Sequence, residues 1–152
     1  MEAITALFED FDLTKLVPEL PPLLEKLHSS MGYVVLIGPV LLLVLGLVYL
    51  LIPPKEANHH VGFRTFFGMG SVEAWRYTQK LAGIVLGSLG LILSIIMWVL
   101  SKKFPEMELE TLYNTVARCL LWQIGLTLLA YISLSVTAAV LFDRKGNHRW
   151  KK

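Results

Sequence analysis

The sequence predicts an all-α, polytopic membrane protein with three transmembrane helices and a short N-terminal amphipathic segment. Hydrophobic residues make up 55% of the 152 residues and charged residues only 17%, whereas an ordinary soluble domain carries about 25% charge. The apolar surplus is gathered into three runs without Asp, Glu, Lys or Arg: Tyr33 to Ile52, Leu81 to Leu100 and Cys119 to Phe142. As a helix each is long enough to cross the roughly 30 Å hydrocarbon core of a bilayer. No amphipathic helices remain to cover these runs in a soluble core, and a single cysteine, Cys119, excludes a disulfide-stapled secreted domain.

The elements follow in order. In residues 1–30, Leu13, Leu16, Val17, Leu20, Leu23, Leu24 and Leu27 recur at spacings of three and four, one face of a helix. Pro18, Pro21 and Pro22 divide this stretch into two short pieces, the second starting at Pro21 or Pro22, where proline suits a first helical turn. Such a piece would lie on the membrane surface, dock on the spans or bind a partner. The segment has no basic start before a short apolar stretch, so it does not read as a cleavable signal peptide.

The first span ends at Pro53–Pro54, because proline disfavours helix in the residue before it. Pro39 falls early enough in that span to be tolerated. Tyr33, Tyr49, Trp98 and Trp122 lie near span ends, where amphipathic rings favour the interface. In the second span Gly83, Gly87 and Gly90 form a small-residue stripe that another helix can approach closely, either within the chain or in a homo-oligomer. In the third, Gln123 is costly to bury and should find a partner on another helix.

Lys and Arg set the orientation. Five fall on one side (Lys15, Lys26, Lys102, Lys103, Arg118) and nine on the other (Lys55, Arg64, Arg76, Lys80, Arg144, Lys145, Arg149, Lys151, Lys152). The positive-inside rule then places the N-terminus outside and the C-terminus in the cytoplasm. Residues 1–30 hold six acids and two bases, net −4, and residues 143–152 hold five bases and one acid, net +4. The basic tail either lies against anionic lipid, at about 1 kcal/mol per cation, or records topology alone. The division is therefore an outer segment 1–30, a membrane domain 31–142 with a cytoplasmic loop 53–80, and a tail 143–152.

The loop carries most of the information. Gly62, Gly68 and Gly70 permit tight turns. Ser71 suits the N-cap of a helix starting at Val72, with Glu73 favourable near its positive end. That helix should run through Trp75, Arg76, Gln79 and Lys80 into the second span, with Trp75 at the interface. Arg76 and Lys80, four apart, share a face toward phosphate groups.

The pattern Pro54…Asn58…Gly62-Phe63-Arg64-Thr65…Met69-x-Ser71-x-Glu73-Ala74-Trp75…Gln79-Lys80 resembles the signature loop of the SdpI family of bacterial membrane proteins. The resemblance covers about 27 residues between two hydrophobic spans; outside the loop it extends only to span order and hydrophobicity. It implies a plasma-membrane protein that gives immunity to a membrane-active peptide toxin, signals by recruiting a cytoplasmic repressor-like protein, or does both, without binding nucleic acid directly. The family's namesake resembles a six-span chain, so three spans imply either a minimal module or self-association. Phe66-Phe67-Gly68 stands where relatives often have polar, basic or proline residues, and suggests a loop that dips into the interface. The residues assigned to partner or lipid binding are Asn58, Gly62, Phe63, Arg64, Thr65, Ser71, Glu73, Trp75 and Arg76. Arg64 has two readings: its planar group either clamps a carboxylate, a lipid phosphate or helix-end carbonyls of a partner, or ties the loop to its own helix ends.

Other chemistry has little support. His59 and His60 would diverge on a helix, and a metal site would need His28, His148 or another chain; no metal and no cofactor are expected. The pair reads as an interfacial feature with the option of pH sensitivity. No span holds an ionised residue, which argues against a pump. G-x-S-x-G, HExxH and phosphate-cradling motifs are absent, so the chain is not expected to be an enzyme. The alternative from another class is a small structural subunit of a larger membrane transporter or enzyme. A transporter built from a dimer is a third reading.

Overall fold

The structure, a computed structural model, describes residues 20–57 and 62–150. Asn58, His59, His60 and the first 19 residues lie outside them. The described residues form three long helices, α1 (Leu20–Leu51), α2 (Val72–Ser101) and α3 (Leu109–Leu141), with one short 3-10 turn at Phe104–Glu106 between α2 and α3. All three are long and apolar enough to cross a membrane.

Each helix ends close to the end of its apolar run and begins about ten residues before it. The apolar run marks what must sit in hydrocarbon, whereas the helix continues for as long as its backbone can keep bonding to itself. At 1.5 Å per residue the 32 residues of α1 extend about 48 Å. The short piece expected to start at Pro21 or Pro22 is thus the first part of α1, continuous with the first span. A helix lying along the surface would need a break before Tyr33, and there is none. The connection between α2 and α3 shrinks correspondingly, and Arg118 and Trp122 fall inside α3 rather than at its end.

α1 and α2 form the close pair. The side chains of Gly83, Gly87 and Gly90 are missing where α1 passes: a Cβ at Gly46 would collide with the Gly87 backbone, and one at Gly90 with the Leu43 backbone. The glycine stripe is therefore filled by α1 of the same chain, through Gly46, Leu50, Leu43 and Pro39. α3 packs more loosely, leaving an apolar crevice of about 690 Å³ between itself and α1.

Buried side chains gather at the two ends. Val35, Met97, Phe104, Leu112, Val116 and Cys119 form one cluster, and the ring nitrogen Nε2 of His28 lies 2.9 Å from the Met107 carbonyl near it. Phe63, Ala82, Leu86 and Leu134 form the other, under the loop between α1 and α2. His28 and His148 stand at opposite ends of the bundle, because His148 packs against Phe142 after α3.

Candidate functional site: a folded platform at one end of the bundle

The site is built on the first turns of α2. Ser71, extended at φ −152° and ψ 163°, caps that helix by accepting from the Ala74 N–H at 3.1 Å, and Glu73 sits in its first turn, where a carboxylate complements the helix dipole. Ala74, Trp75, Thr78, Gln79 and Ala82 form the buried face of α2, at the three- and four-residue spacing of a helix stripe.

That face holds the loop at two points. The Trp75 indole, with no exposed surface, donates Nε1–H to the Pro54 carbonyl at 2.8 Å. One turn on, the Gln79 amide pairs with both backbone groups of Phe63: its Oε1 accepts from the Phe63 N–H at 2.8 Å and its Nε2 donates to the Phe63 carbonyl at 2.7 Å. A side-chain amide thus completes the backbone bonding of a loop residue, as a neighbouring strand would, in a place where unpaired groups are costly. Gly62, at φ +114°, fits between these two side chains, and a methyl group there would lie 2.7 Å from the Trp75 ring.

Phe63 then turns inward, its ring 5.3 Å from that of Tyr131. Beyond it Thr65 closes a turn, accepting from the Gly68 N–H at 3.0 Å while its carbonyl accepts from the Met69 N–H at 3.1 Å. Gly68 is pressed against the hydroxyls of Thr65 and Thr78.

The C-terminal segment completes the platform. Asp143 accepts from the backbone N–H groups of Asn147 and Lys145, both at 2.8 Å, and from the Asn147 side chain at 3.2 Å. These bonds, led by the Asn147 N–H, hold its carboxyl below the usual carboxylate range. The turn so formed rests its Gly146 backbone (φ +75°) on Gly70 and Ser71, and the Ser71 hydroxyl donates to the Gly146 carbonyl at 2.7 Å. Ser71 therefore joins helix cap and tail through one oxygen. Arg149 Nε donates to the Phe142 carbonyl at 3.0 Å, and its guanidinium stands 6.0 Å from the centre of the Phe67 ring. Phe142 is buried with its ring 5.6 Å from that of Tyr77. At its described residues the tail is a folded turn packed beside the start of α2, because Asp143 and Gly146 supply the bonds and the positive φ of a tight turn.

The sequence-assigned residues separate into two groups. Gly62, Phe63, Thr65 and Trp75 face inward and build the platform; a buried Phe63 ring packed on Tyr131 is not presented to a partner. Ser71 belongs with them through its cap and its tail bond. Arg64, Glu73 and Arg76 lie on the exposed surface, as do Phe66, 73% exposed, and Trp150, 75% exposed. Sequence reasoning missed the clamp of Gln79 on Phe63 and the packing of the tail turn on Gly70 and Ser71. The available signal was Gln79 one turn after Trp75 on the same face, and an Asp-x-x-Gly-Asn turn directly after the third span.

Among known proteins, a family model described as the SdpI/YfhL protein family matches residues 55–142, more than half of the chain. No curated protein and no solved structure matches.

Proposed function

The chain belongs to the SdpI/YfhL protein family, and from that membership we propose that it is a bacterial plasma-membrane binding protein, giving immunity to a membrane-active peptide toxin and signalling to a cytoplasmic partner. In this reading the N-terminus is outside, the loop and tail are cytoplasmic, and the bundle meets the toxin while the platform meets the partner. The observation that supports it best is the division of the loop. Phe63, Thr65, Trp75 and Gln79 are spent on holding the backbone, which leaves Arg64 and Phe66 on a preformed outer surface. A surface ordered before binding loses less entropy when a partner docks.

Expression in cells sensitive to such a toxin tests the proposal. Survival above that of cells with an empty vector supports it. Unchanged survival, together with stoichiometric recovery of a large unrelated membrane subunit in mild detergent, would instead assign the chain to the accessory-subunit class.

A further inference from the structure

At the margin of the platform the end of α1 and the start of α2 enclose a cleft of about 390 Å³, lined by Tyr49, Leu50, Pro53, Pro54, Lys55, Arg76 and Lys80. We propose that this cleft binds the phosphate of an anionic phospholipid, with Lys55, Arg76 and Lys80 as its cationic contacts.

The three cations approach from both sides. Arg76 and Lys80 stand one turn apart on α2, and Lys55 comes from the chain just after α1. All three are exposed, and no ion pair joins them to a carboxylate among the described residues. The nearest acids in sequence, Glu56 and Glu73, are exposed beside Lys55 and one turn before Arg76. The rim is fixed in advance, because the Trp75 indole bonds the Pro54 carbonyl and so anchors the Pro53–Pro54 wall to the helix that carries Arg76 and Lys80. A guanidinium and two ammonium groups match a phosphodiester in charge and donors.

The walls favour lipid over free phosphate. Tyr49, Leu50, Pro53 and Pro54 are largely apolar, and Leu51 and Ile52 beside them are 76% and 74% exposed, as expected where a transmembrane helix reaches the interface. A phospholipid satisfies both parts, headgroup on the cations and glycerol and upper acyl chain along the wall. Inorganic phosphate would use the cations alone.

The test needs no toxin. Full-length protein is delipidated in neutral detergent and titrated with phosphatidylglycerol or phosphatidylcholine, with bound lipid counted by native mass spectrometry. Phosphatidylglycerol is expected to bind the more tightly, and Lys55→Gln, Arg76→Gln and Lys80→Gln each to weaken it about fivefold. Arg76→Lys, which keeps the charge, should retain most of the binding, and the pair Lys102→Gln with Lys103→Gln, at the other end, should leave it unchanged. Equal binding of the two lipids, binding unaffected in the triple variant, or displacement of the lipid by millimolar inorganic phosphate would each overturn the proposal.

Discussion

Gln123 of α3 donates its side-chain amide to the Val35 carbonyl of α1 at 2.9 Å, and Val35 lies four residues before Pro39. In a helix that carbonyl would accept from the N–H of residue 39, which proline lacks. The bond therefore repairs the gap that Pro39 opens, across an interface that is otherwise a loose apolar crevice. Gln123→Leu should lower stability in detergent by about 1 kcal/mol, the range of interhelical hydrogen bonds in membranes. Pro39→Ala restores an N–H to Val35, so Gln123→Leu should cost less in that background. Additive losses in thermal denaturation of the two single variants and the double variant would contradict the repair.

The contact of Gly46 with Gly87 is asymmetric. A methyl group on Gly46 would collide with the Gly87 backbone, whereas one on Gly87 would meet Gly46 at 3.6 Å, an ordinary contact. Gly46→Ala should therefore force α1 and α2 apart and lower thermal stability by about 1–3 kcal/mol, as overpacking does, while Gly87→Ala should be tolerated. Gly125→Ala is the reference, since nothing lies within 4 Å of its Cβ position. Equal melting temperatures for the Gly46 and Gly125 variants would refute this packing.

Removing the Gln79 amide leaves two buried backbone groups of Phe63 unpaired. At about 1–3 kcal/mol for each orphaned group, Gln79→Leu should release the loop even where the helices persist. Limited proteolysis checks it: faster cleavage between Gly62 and Gly70 with unchanged far-ultraviolet circular dichroism is expected. Unaltered cleavage would mean that the Gln79 clamp does not hold the loop.

How much of this was legible in the sequence depends on how local each signal is. The three apolar runs and the Ser71 cap were readable because a span and an N-cap are written in neighbouring residues. The need of Gln123 for a partner was readable from the cost of burying an amide; its partner was not, since that depends on which turn of α3 faces Pro39. The start of α3 lies in polar sequence without a strong cap, Glu108 making no side-chain cap bond. The packing of the tail onto the loop was not readable because its contacts join residues 75 apart, as between Ser71 and Gly146. Five of the nine loop residues assigned to binding, including Phe63 and Trp75, proved to be the frame of the site, since a motif records which residues matter and not which way they point.

The Asp143 turn gives a pH signature. Its folded-state pKa lies below the ordinary carboxylate value, so its stabilisation is present above that ordinary value and is lost as pH falls through the lowered one. Hydrogen exchange at the Lys145 and Asn147 amides should be slow at neutral pH and gain protection loss only in acid, below the usual titration range of aspartate. Asp143→Asn should show weaker protection already at neutral pH. Identical exchange in the two proteins would remove Asp143 as the organiser of the tail.

The claim on which the functional account rests is that the outer surface of the loop, and not merely its fold, carries activity. Survival of toxin-challenged cells expressing wild type, Arg64→Ala or Arg118→Ala at matched membrane levels tests it most directly, Arg118 standing on α3 away from the platform. Arg64→Ala is expected to lose most of the protection while Arg118→Ala keeps it. Full protection by Arg64→Ala would contradict it.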